Sequence, residues 1–341
     1  MSAIESSGIL GVFTTLDAVG GIEESGRLAW ETLKKGSGER TFLLCYRNQA
    51  SKLQTVREAL GRRWPVKTVM FWHLGLLKLL PFLRISNPKL VLFLHGIECW
   101  KRQDAFTRHL LRRVDLFLSN TSHTWETFVH ANPEFRNAVH RTVHLGTGRP
   151  FNATTPPPPC APTALMIGRM SRSEGYKGHA EVIRTWPAVL AHIPAARLWI
   201  AGSGDLAGEL EQLASALGIS RAVTFFGAVS EETKDQLLRS ASCLALPSRG
   251  EGFGLVYLEA MRLGRPCLVS NMDAGREVVQ PPQAGLAVDP GNGSELCSAL
   301  IRLLTPGTEW DHWSRQARDR FEANFTAASF QSRLACALQS L

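Results

Sequence analysis

The segment from Pro247 to Gly264, PSRGEGFGLVYLEAMRLG, gathers the residues best suited to chemistry. An apolar strand-like run ends at its proline, glycines follow at 250, 252 and 254, and a helical pattern starts at about Phe253 or Gly254. Glycine lets a backbone approach a ligand closely, and the amides of a helix start, with the helix dipole behind them, suit a phosphate or a sugar oxygen. Glu251 falls in the loop and Glu259 about a turn and a half into the helix, so both can meet one ligand at different depths. Two carboxylates beside a phosphate would repel it unless they accept from neutral hydroxyls. A nucleotide sugar, with a hexose at one end of its phosphates and a ribose at the other, satisfies both demands. The plain alternative is a helix-capping acid followed by a surface glutamate.

The run E-G-F-G-x-x-x-x-E-A, Glu251 to Ala260, resembles the E-x7-E signature of retaining GT-B glycosyltransferases, most closely glycosyltransferase family 4, the group 1 glycosyl transferases. Three further motifs agree with that family in order along the chain: Gly20–Gly21 after the run Ile9–Thr14, His95 within LFLHGIE, and Gly168–Arg169 followed by Lys177–Gly178. The resemblance is strong in the second half and loose in residues 45–90. It implies that Arg169 and Lys177 hold the donor diphosphate, a bidentate guanidinium and a point charge in place of a metal. It further implies that Glu259 bonds the ribose and Glu251 the transferred hexose, with the backbone of Gly252, Phe253 and Gly254 on sugar or phosphate oxygens. Gly20 and Gly21 would bring an amide to the β-phosphate. His95 would line the reaction centre against the donor hexose, and the base would lie near Gly202–Gly204 and Phe226–Val229. His95, Glu251, Arg169 and Lys177 are thus the expected catalytic group. The chain departs from many members in one place: where they carry a doubled glycine before a glutamate, it reads MDAGREVV, with Gly275 and Glu277.

Short apolar runs alternate with helical patterns throughout, the signature of parallel sheets covered on both faces. The strand-like runs are Ile9–Thr14, Thr41–Arg47, Val66–Phe71, Leu90–His95, Val114–Ser119 and Arg141–Leu145, then Ala164–Gly168, Arg197–Ala201, Val223–Phe226, Cys243–Pro247, Pro266–Ser270 and Gly285–Asp289. Leu206, Leu210, Leu213 and Leu217 make one stripe of an amphipathic helix. The expected architecture is α/β, a GT-B fold of two Rossmann-like doubly wound domains facing an interdomain cleft, where the carboxyl ends of such sheets bind ligands. An acceptor-binding domain spans 1–153, a linker 154–163, a nucleotide-sugar domain 164–324, and a C-terminal helix 325–341 that can pack back on the first domain. The four prolines at 156–159 favour an extended linker. GSGD at 202–205 lacks the third glycine of a dinucleotide fingerprint.

With 341 residues, 44% of them hydrophobic, the chain buries two cores and is not disordered. Seven cysteines without a C-x-x-C pair argue against a disulfide framework or a zinc finger and fit a reducing cytosol. No D-x-D and no ligand-spaced cluster occurs, so no metal or other cofactor is expected, the nucleotide sugar being a substrate. Charge is uneven: residues 1–150 hold 21 Lys+Arg against 12 Asp+Glu, and 52–113 hold 13 against 3. That excess suits an anionic membrane surface or a phosphate-rich ligand. Nucleic acid is not expected, since no helix-turn-helix, RNP or zinc pattern accompanies it. Phe71–Arg84, FWHLGLLKLLPFLR, reads either as an interfacial amphipathic helix or as a core helix. The expected function is metal-independent, retaining transfer of a hexose from a UDP- or GDP-linked sugar to a glycan acceptor, lipid-linked, in cell-surface or exopolysaccharide assembly. The expected location is the cytoplasm, peripheral at the inner face of the membrane. A non-hydrolysing nucleotide-sugar epimerase would want extra acid/base groups at the sugar, and a non-catalytic GT-B scaffold binding a glycan or a partner would not need the donor residues.

Overall fold

Every strand-like run of the sequence enters a parallel sheet in the computed structural model, which describes residues 8–16, 21–37, 40–46, 52–149 and 161–341. The first sheet uses β1 (Gly8–Thr14), β2 (Thr41–Tyr46), β3 (Val66–Phe71), β4 (Lys89–Leu94), β5 (Leu116–Ser119) and β6 (His140–Thr142). The second uses β7 (Thr163–Ile167), β8 (Arg197–Ala201), β9 (Val223–Gly227), β10 (Cys243–Ala245), β11 (Cys267–Ser270) and β12 (Gly285–Val288). Helices α1 (Gly21–Ser37), α2 (Lys52–Gly61), α3 (Ala105–Leu111) and α4 (Ser122–Ala131) belong with the first sheet. With the second go α5 (His179–His192), α6 (Ala207–Ala216), α7 (Glu231–Ser240), α8 (Leu255–Arg262), α9 (Gly275–Val279), α10 (Gly293–Leu304) and α11 (Thr308–Asn324), and α12 (Ala327–Gln339) follows.

The strand orders are β2-β1-β3-β4-β5-β6 and β12-β11-β10-β7-β8-β9. Each order reverses once, between β1 and β3 in the first sheet and between β7 and β10 in the second. At such a point the connections from neighbouring strands leave toward opposite faces, and the gap between them is where doubly wound sheets take ligands. The loops after β7 and β10 carry the motifs of Arg169, Lys177 and Glu251; those after β1, β3 and β4 carry Gly21 and His95.

The chain divides into two compact units, the first made of the residues up to Gly148 together with Asn324–Leu341, the second of Arg149–Ala323. Position 153 and the prolines 156–159 lie outside the described residues, as does Gly20. Thr163 is not linker. It is the first residue of β7, paired with Arg197 on one side, while on the other its amide donates to Ser242 Oγ at 3.1 Å and its carbonyl accepts from the Ser242 amide at 2.7 Å. The segment 71–84 is not a regular α-helix either. Leu74–Phe82 winds as a 3₁₀ helix with Pro81 inside it, the His73 Nδ1 accepts from Gly75 N–H at its start, and Leu74, Leu76, Leu77 and Leu80 are buried. Those leucines are core; Pro81 and Phe82 are exposed, and Leu79 and Leu83 half-buried. In the predicted leucine stripe, Leu210 is buried within α6, whereas Leu217 lies past its end and is exposed. Among the described residues no helix is long and apolar enough to cross a membrane.

Trp72, at the end of β3, ties the first unit together. It is fully buried, donates from Nε1 to the Ile22 carbonyl of α1 at 3.0 Å, and has ring contacts with Phe13, Phe93, His95 and Phe330. Phe330 and Leu334 of α12 are buried in the same unit, so the C-terminal helix completes this core. Trp72→Ala removes both the packing and the bond. It should cost about 3–5 kcal/mol, read as a lowered urea midpoint for the first unit.

Candidate active site

The second unit holds two ion-pair clusters, both resting on the β10–α8 segment. In the first, the Lys177 ammonium lies 3.1 Å from Glu251 Oε2 and 3.9 Å from Glu174 Oε2, and Glu174 also pairs with Arg169. Lys177 ends a 3₁₀ turn, Arg172–Lys177, which closes through Gly178 at φ 83. A side chain at 178 would press on the carbonyl of Pro247, so the turn and the β10 loop touch backbone to backbone there. Burial would push the Lys177 ammonium down, but the charge and hydrogen bond of Glu251 outweigh it and raise it above its ordinary value. Lys177 is a permanent cation. Arg169 is different: its side chain is 79% exposed, with one edge held by Glu174 and the rest open.

The glycine at 202 is demanded locally. It sits at φ 145, and a Cβ would overlap the carbonyl oxygen of Gly168, the residue before Arg169. The two loops are laced by Gly168 N–H to Ala201 O at 3.0 Å and Met170 N–H to Ser203 O at 3.0 Å. Gly202 therefore sets the position of Arg169. Gly254, at φ 80, caps α8, and a Cβ there would strike the Tyr257 ring. Gly252 is half-buried beside it and Phe253 is buried.

In the second cluster the Glu259 carboxylate, inside α8 and 5% exposed, receives Lys234 at 2.9 Å and Arg149 at 3.1 Å. Glu231 accepts from the same two cations, so the four alternate in charge. Lys234 comes from α7, whose start is capped by Ser230 accepting from Thr233 N–H at 3.1 Å. Sequence reasoning missed Lys234, Glu231, Arg149 and Glu174. The signals available were the capping serine and the Glu231/Lys234 and Glu174/Lys177 spacings of three, which look like ordinary solvated helix faces.

In the first unit, Gly21 is the exposed first residue of α1, and His95 follows β4. The His95 Nε2 lies 2.6 Å from the Trp72 carbonyl, which can only accept, so Nε2 carries the proton and Nδ1 remains an acceptor. Its amide donates to Glu98 at 2.7 Å and its carbonyl accepts from Asn120 at 2.6 Å. Burial, resisted by Glu98, lowers its pKa to about 4, so the ring is neutral at physiological pH.

Residues 161–306 match the family model described as glycosyl transferases group 1. The similarity to group 1 glycosyl transferases thus covers the stretch that holds Arg169, Lys177, Glu251 and Glu259. The chain is similar to a GDP-mannose-dependent monoacylated alpha-(1-6)-phosphatidylinositol monomannoside mannosyltransferase of Corynebacterium glutamicum, 31% identical over 62% of this chain and 53% of that one. It is also similar to a phosphatidyl-myo-inositol mannosyltransferase of Mycobacterium leprae, 35% identical over 42% of this chain and 37% of that one. The matches thus span about a third to a half of those relatives' lengths. Among solved structures, Anabaena HepE with UDP and glucose superposes over 98% of this chain and all of that one, TM-score 0.77, at 17% identity. At that identity the likeness is one of fold, and the fold is GT-B.

Near Lys177, His179 is 5% exposed, and its Nε2 has no hydrogen-bond partner among the described residues. Burial first, then the Lys177 charge, lowers its pKa to about 4. Between pH 6.5 and 4 the unfolded chain binds a proton there that the folded chain refuses, so this contribution is full above pH 6.5 and lost on acidification to 4. His179→Gln should flatten the stability-versus-pH curve in that window by up to about 3 kcal/mol, measured by urea unfolding at pH 4.5 and 7.

Proposed function

We propose that the protein transfers a hexose from a UDP- or GDP-linked sugar to a glycan acceptor, lipid-linked, with retention at the anomeric carbon. The observation that carries this reading is the pair of cations, Arg169 and Lys177, on loops at the strand-order reversal beside Glu251. Breaking the bond from the anomeric carbon to phosphate leaves charge on the departing diphosphate. A guanidinium with an open edge and a permanent ammonium are suited to hold that charge, which is worth most where it develops. In front-face transfer the acceptor oxygen bonds the anomeric carbon, and its proton passes to the departing phosphate oxygen, so no carboxylate nucleophile is required. Glu251, paired with Lys177, accepts from hexose hydroxyls, and Glu259 accepts from the ribose. A neutral His95 suits a neutral sugar hydroxyl, which can donate to Nδ1. The domain needs no divalent ion on this reading, since Arg169 and Lys177 supply the charge.

Both relatives are named for transfer to phosphatidylinositol-type lipids, an anionic headgroup on an apolar tail. The first unit has a surface suited to such a leaflet. Arg63, Lys67 and Arg84 are exposed and line a cavity of about 680 Å³ with Trp64, and none has an acid partner among the described residues. Arg62 lies 3.8 Å over the Trp64 ring. Each basic residue near an anionic leaflet adds about 1 kcal/mol of attraction. This supports assembly of a surface glycan at the inner face of the membrane.

Calorimetry with UDP-, GDP- and ADP-sugars identifies the donor. With that donor, Arg169→Ala and Lys177→Ala should each lose about 100-fold or more in kcat, the first at little change in Tm and the second with a lowered Tm because it leaves Glu174 and Glu251 without their shared cation, and excess EDTA should leave the wild-type rate intact. Near-normal turnover in either variant, or a rate rescued only by Mn²⁺ or Mg²⁺, would refute the assignment. Sedimentation with vesicles should show binding to anionic but not zwitterionic lipid, weakened by salt and by charge reversal at Arg62, Arg63, Arg112 and Arg113. Absence of binding at low salt would point to a soluble acceptor.

A further inference from the structure

In the run MDAGREVV, ahead of Gly275 and Glu277, stands Asp273, and the structure gives that residue a definite task. Its carboxylate is 3% exposed. Oδ2 accepts the Glu251 amide at 3.0 Å and Oδ1 the Gly275 amide at 2.9 Å, while Ala274 N–H returns a bond to the Glu251 carbonyl at 3.1 Å. Two of these bonds stitch the loop after β11 to the loop after β10, through both backbone groups of Glu251, and the third, to Gly275, holds the Asp273 carboxylate within its own loop. A side chain at Gly275 would press on both the Tyr257 ring and Oδ1, so the clamp and the start of α8 are packed as one piece.

We propose that Asp273 is a positioning residue for the donor loop, holding the Glu251 backbone so that its carboxylate meets Lys177 and the donor hexose, and that its protonation loosens this hold. The inference rests on the transferase reading above for what Glu251 touches. The charged and titratable groups that face Asp273 are Glu251 and, from α8, the Tyr257 phenol; the Ser248 hydroxyl also bonds it. Burial first, with the Glu251 charge adding, raises its pKa to about 7, while the two amide bonds and Ser248 oppose the rise. The ionised form offers acceptor lone pairs to both amides. Protonation converts one oxygen into a donor facing an N–H, so the clamp is complete above pH 7 and weakens below it.

The test compares wild type with Asp273→Asn on UDP-glucose and GDP-mannose between pH 5.5 and 8.5. Wild-type kcat should rise with pH through a single ionisation near 7. Asp273→Asn, whose amide nitrogen opposes one of the two N–H groups, should lose about 10- to 100-fold in kcat at pH 8 and lack that ionisation. Its affinity for free UDP or GDP should stay within about twofold, because the diphosphate cations lie on other loops. A retained inflection, or a loss of nucleotide affinity matching the loss in kcat, would overturn the proposal. An independent reading needs no turnover: in wild-type NMR spectra the Glu251 and Gly275 amides should titrate together with a midpoint near pH 7. If no sugar of the calorimetric panel is bound or turned over and these amides still titrate, the transferase reading fails and the clamp survives. If they do not titrate, the clamp is wrong.

Discussion

The constraint on which the second unit depends is the single reversal of strand order between β7 and β10. Two parallel strands lie side by side there, yet their connections depart to opposite faces, and nothing in the sheet itself fills the notch at their carboxyl ends. The loops that border the notch must approach one another through backbone. Hence the glycines at 168, 178 and 202, of which two have positive φ. Arg169 and Lys177 ride on these contacts, so the placement of the cations follows from the topology and a few missing side chains. The first unit repeats the arrangement between β1 and β3, with Trp72 and His95 at neighbouring strand ends.

Charge is balanced in a particular way around that notch. Several buried or half-buried ionic side chains are shared, Lys177 between Glu174 and Glu251 and Glu259 between Lys234 and Arg149, whereas Asp273 is held by amides instead. Isolated charges would be costly to bury, and sharing keeps each one ionised without locking it into a single partner. A ligand hydroxyl or phosphate can then take over one contact while the protein keeps the other. The exposed edge of Arg169 is the exception, and it is the place where new negative charge meets least competition.

The strands were legible because parallel strands buried on both faces appear as uninterrupted apolar runs, as in KLVLFL at β4. The E-x7-E loop was legible through its glycines and its order relative to Arg169 and Lys177. What escaped were pairings across long sequence separations. Nothing near Lys234 foretells Glu259, and nothing near Asp273 foretells the Glu251 amide 22 positions away. At Gly202 the carbonyl of Gly168 is a reason for glycine that the sequence does not show. The stretch 71–84 was misjudged as a regular helix because its leucines overshadowed Gly75 and Pro81, which favour a tighter winding.

The first unit is built from two stretches of chain that the second interrupts. Thr147 pairs with Thr326, the Thr147 amide donates to the Phe325 carbonyl at 3.1 Å, and Arg333 of α12 reaches the carbonyl of His144. Outgoing and returning chain are thus bonded to one another within the first unit. During synthesis residues 149–323 can close as soon as they have left the ribosome, since that unit is continuous. The first unit must wait with Trp72 lacking Phe330 until residue 330 has been made, so the half that is translated first is the half that finishes folding last.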